Sequence, residues 1–398
     1  MKTLRSIFLS TTVLCFSLVL ISLGSLPVAA SPASVEKNNK LHGGIEIGSR
    51  GVKGTAINFT RKGNGYEVKI LYTESINTSI MKLKDNRFTP EGLKEAADAV
   101  AKIFAKLQTE YQVPVEQIYI VGSSGLRADN KPDLVNAINQ AISRPMSFLT
   151  VDLEVQLSIA GTIPRKRDDE AKPLNEREVA LLVDIGSGNT KGGYQQPDSP
   201  KEEFVTMGIP FGTVSFTNEV NKLRKVEADF SGFVSDAMMI APKILNDQLH
   251  AEIEKKPGLV YRRRVYLSGG IIWAMATLLH PDNRRAFVTL TTDDIAMFHY
   301  RARNDMEGLL NPDLSRINDE QKRAEIKKDI EAVKATFTPK NIIAGAEILN
   351  AVSTEFKLQN KEVWFARYGN LSWILSYVRG QGEKQLLAAE GSTTSALK

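Results

Sequence analysis

Three places in the chain set a strand end against glycine in a way that suits phosphate chemistry. They are Glu46-Ile47-Gly48-Ser49-Arg50-Gly51, Asp184-Ile185-Gly186-Ser187-Gly188-Asn189-Thr190-Lys191 and Leu267-Ser268-Gly269-Gly270. Glycine lets successive backbone N–H groups turn toward an anion with no side chain in the way, and a hydroxyl or amide completes the cradle. This makes Gly48 and Ser49, then Gly186, Ser187, Gly188, Asn189 and Thr190, then Ser268, Gly269 and Gly270 the candidate phosphate-binding residues. An acid at a strand end can hold a divalent ion, usually through water, so Asp184 and Glu46 are the candidate metal-side residues. One such junction is an ordinary capped turn. Three in one chain lift the functional reading above it.

The elements that position these loops follow from periodicity. Gly44–Gly48 and Gly54–Phe59 read as short strands joined by a glycine turn, with a third strand near Glu67–Tyr72. Thr89 as N-cap, Pro90 at the first position and Leu93, Val100, Ile103, Phe104 and Leu107 on one face predict a helix. The apolar run Gln117–Val121 ends in Gly122-Ser123-Ser124-Gly125, as a buried parallel strand meets a loop, and a helix is expected over Lys131–Ile142. Residues 164–177 are strongly charged and read as a crossing between domains. Beyond it, Val179–Gly186 repeats the theme of Gly44–Gly48, a weak internal duplication. Strands and helices alternate onward, which predicts an α/β fold with buried sheets.

At 398 residues with about a quarter charged, the chain has material for two packed domains. Lys2 and Arg5 precede an apolar run from Ile7 to Leu26, and Val28-Ala29-Ala30 supplies the small residues of a cleavage site. The expectation is a signal peptide over residues 1–30, a mature start near Ser31, and an exported protein, periplasmic or secreted. A retained anchor is the alternative, because the run is nearly long enough to span a bilayer. The single cysteine, Cys15, lies in this leader, so a mature chain has no disulfide, thiolate metal site or cysteine nucleophile. Without Lys2 and Arg5, 49 basic residues face 46 acidic ones, a mild bias that permits a polyanion and gives no nucleic-acid footprint. No membrane contact is expected after cleavage, and a homodimer is open.

The order and spacing of the three junctions resemble the actin, sugar kinase and chaperone ATPase superfamily. More closely, the chain is similar to the exopolyphosphatase and guanosine pentaphosphate phosphatase (Ppx/GppA) family. The resemblance is carried by Glu46–Gly51, by Val121-Gly122-Ser123-Ser124-Gly125-Leu126-Arg127, by Glu154-Val155-Gln156-Leu157 and by Asp184–Lys191. It continues through Met207–Gly212, Ser268-Gly269-Gly270, Ile342–Leu349 and Arg367–Leu371, and so covers roughly residues 41–380. It implies two actin-like (ribonuclease H-like) domains with a ligand cleft between them. Domain I is placed at 41–165 after a polar tether over 31–40. Domain II is placed at 166–380, its last helix able to pack back on domain I, with a flexible tail over 381–398.

The resemblance also implies an activity: release of terminal phosphate from polyphosphate or a polyphosphorylated nucleotide-like ligand. Glu154 would orient or deprotonate the attacking water, Arg127 would grip phosphate oxygens, and Mg²⁺ organised by Asp184 would share the charge. Departures from the family pattern fall on polar positions: Glu46, Arg50 and Gly51 in the first loop, Gln156 after Glu154, and Lys191 where the family has an acid. Lys191 and Arg50 can bind phosphate directly and partly replace a metal. The alternative expectation is therefore a phosphate- or polyanion-binding protein or envelope scaffold of the same fold, impaired in catalysis.

Overall fold

The computed structural model describes residues 39–62, 65–164, 175–197, 199, 203–223 and 229–395. The expected leader, nearly all of the tether and the expected boundary at 165 and 166 lie outside the described residues. From Asn39 onward the chain forms one compact unit, in which the described residues build two large sheets and a two-stranded ribbon.

The first half opens with a meander of β1 (Asn39–Gly48), β2 (Gly51–Lys62) and β3 (Gly65–Asn77). A small ribbon of β4 (Leu83–Lys84) and β5 (Arg87–Phe88) leads into α1 (Pro90–Thr109). The Thr89 hydroxyl accepts from the Gly92 N–H and Pro90 fills the first turn, a cap worth about 1 kcal/mol. Ala96, Val100, Ile103 and Leu107 then fall on one buried face. β6 (Ile118–Gly122), α2 (Lys131–Ile142), β7 (Ser147–Phe148) and α3 (Val151–Thr162) complete this half. The sheet order is β3-β2-β1-β6-β7, with β1, β6 and β7 parallel.

The second half repeats the plan. After the short α4 (Glu176–Val179), β8 (Ala180–Ile185), β9 (Thr190–Gln195) and β10 (Phe204–Ile209) form an antiparallel meander. Helices α5 (Thr213–Lys222), α6 (Phe230–Ala241) and α7 (Asp247–Lys255) precede β11 (Arg264–Ser268) and α8 (Gly270–Leu279). β12 (Phe287–Leu290), α9 (Thr292–Asn304), α10 (Met306–Leu310), α11 (Glu320–Thr336), α12 (Pro339–Glu355), β13 (Glu362–Ala366) and α13 (Gly369–Ser395) follow. Their sheet order is β10-β9-β8-β11-β13-β12, with β8, β11 and β13 parallel. Helix α12 is buried over nearly its whole length and anchors the second core.

Helices α3 and α13 join the halves. Trp373, Ile374 and Val378 of α13 pack with Ile57, Phe59, Val121 and Leu149 of the first half. Val155, Ile159 and Ile163 pack with Ala180, Leu182 and Tyr266 of the second. Each of the valine, leucine, isoleucine and phenylalanine side chains among them contributes about 1.5–3 kcal/mol when fully buried. The last helix therefore lies on the first half. Helix α13 runs on through residues 381–395, where Lys384–Glu390 is a run of strong helix formers. No described helix is long and apolar enough to cross a membrane.

Candidate functional site: a cleft floored by two acid–lysine pairs

Both halves present their strand ends to one cavity of about 580 Å³. Its floor is built by sheet register. In the second half, Asp184 of β8 lies directly opposite Lys191 of β9 and beside Ser268 of β11, so three side chains from neighbouring strands meet on one face. The Lys191 Nζ is 2.8 Å from Asp184 Oδ2, and the Ser268 hydroxyl donates to Asp184 Oδ1 at 2.6 Å. The first half has the same device. Glu46 of β1 lies opposite Lys53 of β2, whose Nζ is 3.4 Å from both carboxylate oxygens and donates to the Asn370 carbonyl at 3.2 Å.

Glu154, near the start of α3, reaches the floor between the pairs. Its Oε1 is 3.1 Å from Lys191 Nζ and accepts from the Ser123 hydroxyl, and its Oε2 accepts the Ser124 backbone N–H at 2.7 Å. The Glu154 carboxylate is thus shut away from solvent with both oxygens engaged. Burial alone would lower the Lys191 pKa, but Asp184 and Glu154 hold the ammonium protonated and move it above its ordinary value. Burial pushes the Asp184 carboxyl up, yet Lys191 and the Ser268 hydroxyl overcome that and leave it below its usual range. Glu46 goes the other way. Its burial outweighs Lys53, and the Glu154 charge adds to the rise.

The glycine loops form the walls. Gly269 has φ of +106°, and a Cβ there would lie 2.1 Å from the Ile185 carbonyl, so glycine is required where β11 turns into α8. The first N–H groups of α8 have no acceptor within the helix, and Gly269, Gly270 and Ile271 line the cavity. A Cβ at Gly188 would lie 2.2 Å from Ser49 Oγ and 2.3 Å from the Gly125 carbonyl, which is how closely the loops of the two halves meet. The Asn189 side-chain amide donates to Ser124 Oγ across that seam at 3.1 Å, and Ser49 Oγ donates to the Gly125 carbonyl at 3.0 Å.

Gly48, Ser49, Arg50, Gly186, Ser187, Gly188, Asn189, Lys191, Gly269 and Gly270 line this cavity together with Glu46, Glu154 and Asp184. Three candidates do not. Arg127 is exposed and outside the lining: its neighbour Leu126 is fully buried in the first core, which turns the next side chain outward. Thr190 is fully buried with its hydroxyl donated to the Phe211 carbonyl. Ser268 acts behind Asp184 rather than on the cavity surface. Lys53, Phe337, Trp373 and Asn370 also line the cleft, and none of them is a candidate phosphate or metal residue from the sequence. Lys53 had a signal: it follows Glu46 by the same interval at which Lys191 follows Asp184.

The residues present do not fit a divalent cation at this floor. The Asp184 and Glu154 oxygens that face each other already share the Lys191 ammonium, and the Glu46 carboxylate faces Lys53. Among the described residues, no three His, Cys, Asp or Glu side chains are grouped to hold a metal.

No family model and no curated protein matches the chain. Solved structures do. A Ppx/GppA family member from Aquifex aeolicus is similar over 87% of this chain and 99% of its own, with a TM-score of 0.58 and 16% identity. An exopolyphosphatase from Cytophaga hutchinsonii is similar over 86% and 98%, with a TM-score of 0.57 and 14% identity. The chain has the Ppx/GppA fold. An exopolyphosphatase-like protein gives the same picture, with a TM-score of 0.59 and 15% identity over 86% of this chain and 99% of that one. At such identities the likeness is one of architecture, two actin-like domains around a cleft, and the chemistry rests on the residues in it.

Proposed function

We propose that the cleft binds a phosphate-bearing anion of the polyphosphate or nucleotide-like kind, and holds it with fixed cations and backbone N–H groups in place of a divalent ion. The observation that carries this reading is the Lys191 ammonium seated between Asp184 and Glu154. A general base must offer a lone pair to the water it activates. Glu154 has its oxygens taken by Lys191, the Ser123 hydroxyl and the Ser124 N–H, so a water would compete with an ammonium at 3.1 Å. Binding without metal-assisted turnover is the function this arrangement favours. The glycine loops and the start of α8 supply donors for phosphate oxygens, which cost no reorganisation on binding.

A second reading, hydrolysis of a phosphoanhydride, is favoured by one observation: Ser123 and Ser124 hold Glu154 facing the cavity floor. Calorimetry and phosphate-release assays with pyrophosphate, tripolyphosphate and a nucleoside triphosphate separate the two. The expected result is saturable binding in the presence of a chelator with no phosphate released. Release that Mg²⁺ stimulates and Glu154→Gln abolishes would establish the hydrolase instead, and the absence of any binding would sink both. The leader read from the sequence supports a site of action outside the cytoplasm, which immunoblots of cell fractions test.

A further inference from the structure

Among the described residues, Arg50 lines the cleft without an ion pair to any acid; Arg367 does too, but donates its N–H groups to the Asn283 and Arg285 carbonyls. Arg50 stands on the turn between β1 and β2, in the first half, and its guanidinium lies over the ring of Phe337, in the second half, 4.5 Å from the centroid. Its Nη1 is buried without a hydrogen-bond partner. Burial pulls its pKa down to about 10, the mark of a cation taken out of water with no carboxylate to compensate it. Lys53 faces Glu46, Lys191 faces Asp184 and Glu154, and Arg284 pairs with Glu325 and Asp329.

Phe337 is placed by its other side. A Cβ on Gly270 would come within 3.0 Å of its ring, so the ring sits against the start of α8. Guanidinium, ring and Gly270 thus follow one another, and Arg50, Phe337, Gly269 and Gly270 all line the cavity. A guanidinium resting its face on an aromatic ring keeps its in-plane N–H donors free, in the fork geometry that matches two oxygens of one phosphoryl group.

We propose that Arg50 is a clasp across the cleft: with Phe337 as its rest, it grips a phosphoryl group of the bound ligand from the first half while the loops of the second half hold that ligand from below. The clasp rests on the phosphate-binding reading and adds to it which residue sets affinity and how the ligand couples the halves. A compact phosphate needs either Arg50 or the loops; a ligand with two linked phosphoryl groups uses both. Pyrophosphate should therefore depend on Arg50 more than orthophosphate does.

The test is calorimetric titration of pyrophosphate and orthophosphate into the full-length protein and three variants, with thermal unfolding as a control. Arg50→Met keeps the stem over Phe337 and removes the fork, and should weaken pyrophosphate about 10- to 100-fold. Arg50→Lys keeps charge without the fork and should recover only part of that loss. Phe337→Leu removes the rest and should cost about 3- to 10-fold. Pyrophosphate should also protect the backbone around residue 337 from hydrogen exchange in the wild type and fail to do so in Arg50→Met. If the wild type binds and Arg50→Met or Arg50→Lys binds within twofold of it, the clasp is wrong while the cleft reading stands. A wild type that binds neither anion overturns both.

Discussion

The two halves place an acid and a lysine at the same register, and the two pairs behave oppositely. Glu46 and Lys53 are separated by 3.4 Å, and the Lys53 side chain keeps 29% of its exposure. Asp184 and Lys191 are separated by 2.8 Å, and the Lys191 side chain keeps 4%. The first pair leaves its carboxyl above the ordinary value, because burial of Glu46 outweighs a loosely held lysine. The second leaves its carboxyl below, because Lys191 and Ser268 bind it closely. A duplicated backbone thus supplies positions, and the depth of the lysine decides whether a position becomes a fixed cation or a yielding one.

Breaking the second pair should have the larger effect. Lys191→Met leaves Asp184 and Glu154 buried without a cation and should cost about 3–5 kcal/mol in denaturant unfolding. It should also open the floor to divalent ions, detectable as Mn²⁺ binding by electron paramagnetic resonance that the wild type lacks. The pH dependence sharpens the contrast at a smaller scale, about 2 kcal/mol or less. The stability that Asp184 adds is present above its unfolded pKa and is lost as pH falls through its depressed folded value. Asp184→Asn should therefore destabilise at neutral pH, with the gap closing in acid. Glu46 has the opposite sign: its neutral form suits the fold, and a cost appears as pH rises through its elevated value. Glu46→Gln should stabilise at neutral pH, and that gain too should vanish in acid. Lys53→Met, removing a partly solvated lysine, should cost about 1 kcal/mol or less. Equal losses for the two lysine variants would erase the distinction between the halves.

Much of the scaffold was legible because its signals are local. Thr89 and Pro90 start α1, the glycines after β1, β8 and β11 mark the loops, and Val179–Gly186 repeats Gly44–Gly48. The seating of Lys191 was not legible, since it depends on which residue of β9 stands opposite Asp184 and on how α3 delivers Glu154. Lys53 was missed for the same reason, although the shared acid-to-lysine interval in both halves carries the information. Arg127 stands outside the cleft lining, which its motif does not specify, since a motif says nothing about which side of a turn a side chain leaves: Leu126 takes the core and Arg127 is exposed. Phe337 lies far from Arg50 in sequence and becomes its neighbour only through the closing of the two halves.

The central claim, that fixed cations stand where a divalent ion would act, is tested most directly by titrating pyrophosphate into chelator-treated protein with and without added Mg²⁺. The account predicts the same affinity in both, with no phosphate released. Binding that appears only when Mg²⁺ is supplied would contradict it.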